Sequence, residues 1–161
     1  MVARYRFGMR ALFILLASLG VVAAVQAADT TNGRVLKVLP FLVDQQGRIA
    51  KSPSLFDRDA YQTYLLQHPT NVAAMRFDVL WKAKKSADNT NKITVELRGS
   101  GTNSMPTIST LETNVAPGAH SQWTEIPLAH DDYKNAGSIA AWRVRLWNNG
   151  QVLDEQKSFL W

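Results

Sequence analysis

Three stretches of this chain alternate apolar and polar side chains with a period of two, and that rhythm restricts the fold more than any other feature. In Met75–Lys82 the odd positions Met75, Phe77, Val79 and Trp81 are apolar, and Arg76, Asp78 and Lys82 stand between them. Ile93, Val95 and Leu97 alternate with Thr94, Glu96 and Arg98. Ala140, Trp142, Val144 and Leu146 alternate with Arg143, Arg145 and Trp147. An extended strand sends successive side chains to opposite faces, so each stretch offers one apolar face for burial. A Thr-rich run from Thr107 to Val115 and the apolar set Trp123, Ile126 and Leu128 add two more strands. Strands broken by turns about every ten residues predict two antiparallel sheets packed face to face. With 161 residues and no cysteine, a single domain must be held by that core alone.

The N-terminal half reads differently. Val35 to Val43 is rich in aliphatic residues but contains Pro40, which cannot donate to a ladder, so this strand belongs on a sheet edge. Asp44-Gln45-Gln46-Gly47 predicts a tight turn, followed by a short return strand through Ile49. Residues 54–68 switch to helical spacing, with Tyr61, Leu65 and His68 on one face beside Ala60 and Tyr64. Ser54 is a suitable N-cap, and Asp57 can reach back to it as in a capping box. Pro69 ends the helix, because the residue before a proline is pushed out of α space.

The C-terminal segment predicts a hairpin, since Asn149 and Gly150 both tolerate the positive φ that a two-residue turn needs. The returning strand, from Val152 and Leu153 to Phe159, Leu160 and Trp161, does not alternate. A plain two-residue turn would put Glu155 and Lys157 on the face of Val144 and Trp142. A bulge near Asp154 would restore the pattern.

The first residues read as a leader. Arg4, Arg6 and Arg10 precede an apolar run from Ala11 to Val25, and Val25-Gln26-Ala27 supplies small residues for cleavage before Ala28. An uncleaved anchor is the rival, but the run is shorter than the ~20 apolar residues that span a bilayer. The expected organisation is a signal peptide at 1–27, a flexible lead-in at 28–33 and one domain at 34–161. Export to the periplasm or medium follows, with no membrane span after leader removal. The formal charge of +5 comes from 18 basic and 13 acidic residues, and losing the three leader arginines leaves about +2. That balance does not suggest nucleic acid as a partner. An aromatic C-terminus also fits outer-membrane barrels, yet charged Asp154, Glu155 and Lys157 oppose lipid exposure.

Two resemblances bear on the fold. The stretch from Leu128 through Asp132-Tyr133 to the Trp142–Leu146 strand resembles the E–F corner of immunoglobulin-like and fibronectin type III domains. The resemblance covers the last third of the chain and implies an immunoglobulin-like antiparallel β-sandwich, here with one short helix inserted before the main strands. It also implies that Tyr133 hydrogen-bonds back across the corner. The segment 44–82, with Gly47-Arg48, Ser52-Pro53-Ser54-Leu55, Asp57-Arg58-Asp59-Ala60-Tyr61 and Arg76-Phe77-Asp78, resembles small exported bacterial proteins classed as hypothetical. No activity follows from it.

Catalytic signatures are weak. His68, His120 and His130 form no HExxH pattern, and no cysteine exists to complete a zinc site. His130-Asp131-Asp132 combines an imidazole with two carboxylates, but also suits a solvated loop that starts a helical turn. There is no Gly-x-Ser-x-Gly elbow, and Gly99-Ser100-Gly101 is too short for a phosphate loop. No catalytic residue, cofactor or metal is expected. The candidate binding surface is the outward face bearing Arg143, Arg145 and Trp147, joined by Arg76 and Arg98 if their strands are neighbours. The bland alternatives are that the helix covers this face, or that Asp154 and Glu96 merely neutralise it. Lys82, Lys84 and Lys85 form a further basic loop. The expected role is a non-catalytic binding or assembly module that recognises a protein. The alternative is a module binding carbohydrate or envelope polymer through Trp147 and the arginines, with a small hydrolase third.

Overall fold

A computed structural model describes residues 32–84, 90–101 and 105–161. The leader, lead-in residues 28–31 and Lys85 lie outside the described residues. Strands β1 (Gly33–Asp44), β2 (Val72–Ala83) and β5 (Gln122–Leu128) form one antiparallel sheet in the order β1-β2-β5. Strands β3 (Asn91–Gly99), β4 (Thr107–Val115), β6 (Ile139–Asn148) and β7 (Gln151–Lys157) form a second, in the order β4-β3-β6-β7. Between them lies the core that the alternation predicts. Phe77, Val79 and Trp81 from β2 meet Ile93, Val95 and Leu97 from β3, with Ile126, Leu128, Val144 and Leu146 completing the cluster. The Trp81 indole N–H donates to Thr124 Oγ1 at 2.8 Å, so the largest buried side chain leaves no polar atom unpaired.

Helix α1 (Leu55–Gln67) packs a smaller cluster, Leu42, Tyr61, Leu65 and Val72, at one end of the molecule. The Asp57 N–H donates to Ser54 Oγ, as an N-cap requires. The reciprocal half of the expected capping box is relayed. The Ser54 N–H donates to Ser52 Oγ, and that hydroxyl donates to the Asp57 carboxylate. His68 is the exposed C-cap, its ring stacked on Tyr64 with centres 4.2 Å apart.

Several expectations need correction. No return strand forms at Ile49; residues 45–54 are turns and bends pinned by side chains. The Gln62 amide accepts from the Leu42 N–H at 2.7 Å and donates to the Leu42 and Ile49 carbonyls, taking the place of a neighbouring strand. A second helix, α2 (His130–Ala136), exists where only a turn was expected. Ala140 is exposed and Ile139 packs against the core instead, because the register shifts between Arg98 and Gly99 and passes over Ala140. Trp123 faces outward, since it is out of phase with Ile126 and Leu128. β7 stops at Lys157, and Phe159 is fully exposed.

The hairpin behaves as expected, with Asn149 at φ 46° and Gly150 at φ 81°. Its bulge falls at Leu153, between the pairs Trp147–Val152 and Leu146–Asp154. This shift turns Glu155 outward beside Arg145 and Asp154 inward. Asp154 then accepts from the Val35 N–H at 2.8 Å, and the Gln156 amide donates to the Val35 carbonyl at 3.0 Å. Both backbone groups of one β1 residue are thus satisfied from the opposite sheet, where β1 has its own irregularity at Leu36.

Asp44 anchors the end of β1. Burial alone would push its carboxyl up, but hydrogen bonds from the Tyr61 hydroxyl (2.6 Å), the Arg48 N–H and guanidinium, and the Gln46 N–H outweigh that and hold it at about 2. A folded-state value below the ordinary 3.8 contributes stability above that pH, which is lost as pH falls toward about 2. The denaturant midpoint is therefore expected to drop between about pH 4 and about pH 2. Asp44→Asn should start lower at neutral pH and show a shallower acid limb; equal acid limbs in the two proteins would refute this role.

Candidate binding surface

The outward face of the four-stranded sheet collects four of the five residues expected to form a surface. β3 lies beside β6, so Arg98, Arg143, Arg145 and Trp147 share one face. Arg76 does not join them. It lies on β2 in the other sheet, where it pairs with Asp78 at 2.7 Å and Glu125 at 3.1 Å. Helix α1 does not cover the four-stranded face, because it packs against β1 and the start of β2.

The shared face is a closed ladder of charge and aromatic rings. Glu96, central on β3, pairs with both Arg143 and Arg145. Glu155 on β7 pairs with Arg145 at 2.9 Å and Arg143 at 3.7 Å. Trp161 caps one end, with the guanidinium groups of Arg98 and Arg143 at 4.0 and 4.5 Å from its ring centre. Trp147 caps the other, its N–H donating to Thr94 Oγ1 at 2.8 Å while Lys92 and Arg145 lie over its ring. Arg143 and Arg145 are about four-fifths covered as a result. Asp154 plays no part in neutralising them. Partly buried pairs of this kind staple β3, β6 and β7 together, at about 0.5 kcal/mol each. Of the arginines here, Arg98 is the exposed one, and among the described residues it has no carboxylate partner.

A second feature escapes the sequence. Between the edge of β1 and the start of β6 lies a groove of about 500 Å³ lined by Pro40, Phe41, Leu42, Met75, Tyr133 and Ile139. Leu66 stands on its rim, 71% exposed. Of its apolar side chains α1 buries Tyr61 and Leu65, whereas Leu55, Phe56 and Leu66 face solvent. The available signal was phase: on a 3.6-residue repeat Leu55 and Leu66 share a stripe well away from Tyr61 and Leu65. Tyr133, on α2, touches both core clusters, and burial raises its hydroxyl above the usual tyrosine range. Among the described residues that hydroxyl has no hydrogen-bond partner, so Tyr133 acts here by packing. His130 is tied to the Ala73 carbonyl, and no group of metal-ligating side chains gathers among the described residues.

No family model, curated protein or solved structure matches this chain.

Proposed function

We propose that this chain is an exported, non-catalytic module with an immunoglobulin-like, fibronectin type III-like sandwich that recognises a protein partner at its α1 end. The strand order supports the fold assignment. The chain changes sheets between β2 and β3, between β4 and β5, and again between β5 and β6, giving the three-plus-four arrangement of such folds. Tyr133 lies in the β5–β6 connection, where the E–F corner would be. The basic and apolar leader supports export.

The groove carries the functional reading. β7 pairs with β6 only from Arg143 onward, and Ser158 binds both backbone groups of Trp142. No β7 residue pairs with Ile139 or Ala140, and Ala140 is exposed at that edge. An extended partner segment can add to that edge and place an apolar side chain between Met75 and Ile139, with Leu66 closing over it. Apolar groups exposed beside an open strand edge are how sandwich domains commonly engage proteins.

A photo-crosslinking residue at position 66 or 139 should trap one dominant protein in the native compartment. The same residue at Glu112, on the outer face of β4, should not. Leu66→Asp should remove the crosslink at 139 without altering the melting temperature, since Leu66 is exposed. Equal yields at all three positions would reject the groove.

A further inference from the structure

The outer face of the three-stranded sheet is divided electrostatically. Near α1, Arg76 is neutralised by Asp78 and Glu125. At the other end, Arg34 on β1 and Lys82 on β2 stand directly opposite each other in the ladder. Like charges in that position repel, so the pairing opposes folding unless something compensates. The irregularity at Leu36 adds to this by turning Lys37, opposite Leu80, to the same face. Among the described residues Arg34, Lys37 and Lys82 have no carboxylate partner. Beside them Arg34, Lys82, Lys84 and His120 line a cleft of about 540 Å³. Its far wall, the turn through Gly118 and Ser121, is held by a 2.6 Å hydrogen bond from the Gln122 amide to the Ala116 carbonyl. Next to the cleft Trp123, opposite Leu80, leaves half its surface open.

We infer that this face binds an acidic polysaccharide, with Arg34 and Lys82 holding an anionic group in the cleft and Trp123 stacking on a sugar ring. The spacing favours this class. Arg34, Lys82 and Lys37, without a carboxylate partner among the described residues, follow the strands away from the cleft, which suits charges repeated along a chain. A single exposed indole beside half-buried Leu80 suits the apolar face of one ring. The site is separate from the α1 groove and does not depend on the protein-recognition reading.

Calorimetric titration of the purified protein with an oligogalacturonate tests it, using the fully methyl-esterified oligomer as the uncharged counterpart. Saturable binding is expected for the acid form and none for the ester, with affinity falling as salt rises. Arg34→Gln combined with Lys82→Gln should weaken binding about ten-fold or more, as should Trp123→Ala. Lys92→Gln, the loss of one cation on the opposite sheet, should leave it unchanged. All four side chains reach the surface, and a cooperative melting transition within a few degrees of the parent protein's in each variant checks that the fold is intact. Equal affinity for the ester, or no loss in the double variant, would overturn the assignment. So would binding confined to phosphatidylglycerol vesicles, which would make this a lipid surface.

Discussion

Trp81→Ala is expected to lower the unfolding free energy by about 4 kcal/mol and the melting temperature by roughly 15 °C. Trp81 is fully buried near the end of β2, the middle strand of its sheet, and is the largest side chain in the core. Its removal forfeits the apolar transfer energy, leaves a cavity between two sheets that cannot close without moving strands, and strands the Thr124 hydroxyl. A domain with a total stability of about 5–15 kcal/mol and no disulfide has little to set against such a loss. Trp81→Phe, which keeps much of the volume but not the hydrogen bond, should cost about 2 kcal/mol. Trp123→Ala provides the contrast, because Trp123 is half exposed on the opposite face of the same sheet. It should cost under about 1 kcal/mol. Urea denaturation of the three variants measures all of this, and a Trp81→Ala loss no larger than that of Trp123→Ala would contradict the packing described.

Gly99→Ala should cost about 3 kcal/mol, for a reason invisible in its local sequence. A Cβ built on Gly99 would lie 2.1 Å from the Ala136 carbonyl oxygen, a backbone atom that cannot rotate away. The end of β3 here runs against the end of α2. The Gly101 N–H donates to the Ala136 carbonyl at 2.9 Å, and the Ser100 N–H to the Ser138 carbonyl at 3.0 Å. Gly137, at φ 66°, completes the approach, since a Cβ there would meet the Gly101 backbone within 3 Å. Separating the segments to fit a methyl group would break both hydrogen bonds as well as creating strain. Gly47→Ala sets the scale for backbone conformation alone: φ is 77°, nothing lies within 4 Å, and the cost should be about 1 kcal/mol. Hydrogen exchange should show the α2 amides losing protection in Gly99→Ala and keeping it in Gly47→Ala. Equal unfolding midpoints for these two variants would refute the close approach.

These cases show how much of the protein is legible along the chain. Trp81 announces itself as a core residue because it continues the odd-numbered series from Met75. Gly99-Ser100-Gly101 reads as an ordinary loop, and only the arrival of α2 from the other end of β5 explains its glycines. The binding surface divides in the same way. The outward direction of Arg143, Arg145 and Trp147 follows from alternation, but their mutual neutralisation depends on Glu96 from β3 and on a bulge at Leu153 that turns Glu155 outward. The groove beside α1 needs three separated segments, and no single stretch carries its pattern.

Sequence by itself determined the faces: which side of each central strand is apolar, where α1 is capped and stopped, where Gly47, Asn149 and Gly150 turn the chain, and that Pro40 belongs on an edge. Those properties arise from interactions over a few residues, where backbone geometry sets the period. The tertiary structure alone decided that Arg98 and Arg76 belong to different sheets, that Arg34 opposes Lys82, and which side chains cover one another. An alternating strand presents the same two faces whichever neighbour it pairs with. Partner choice is settled by the free energy of contacts between residues far apart in the chain, and a local pattern does not carry that information.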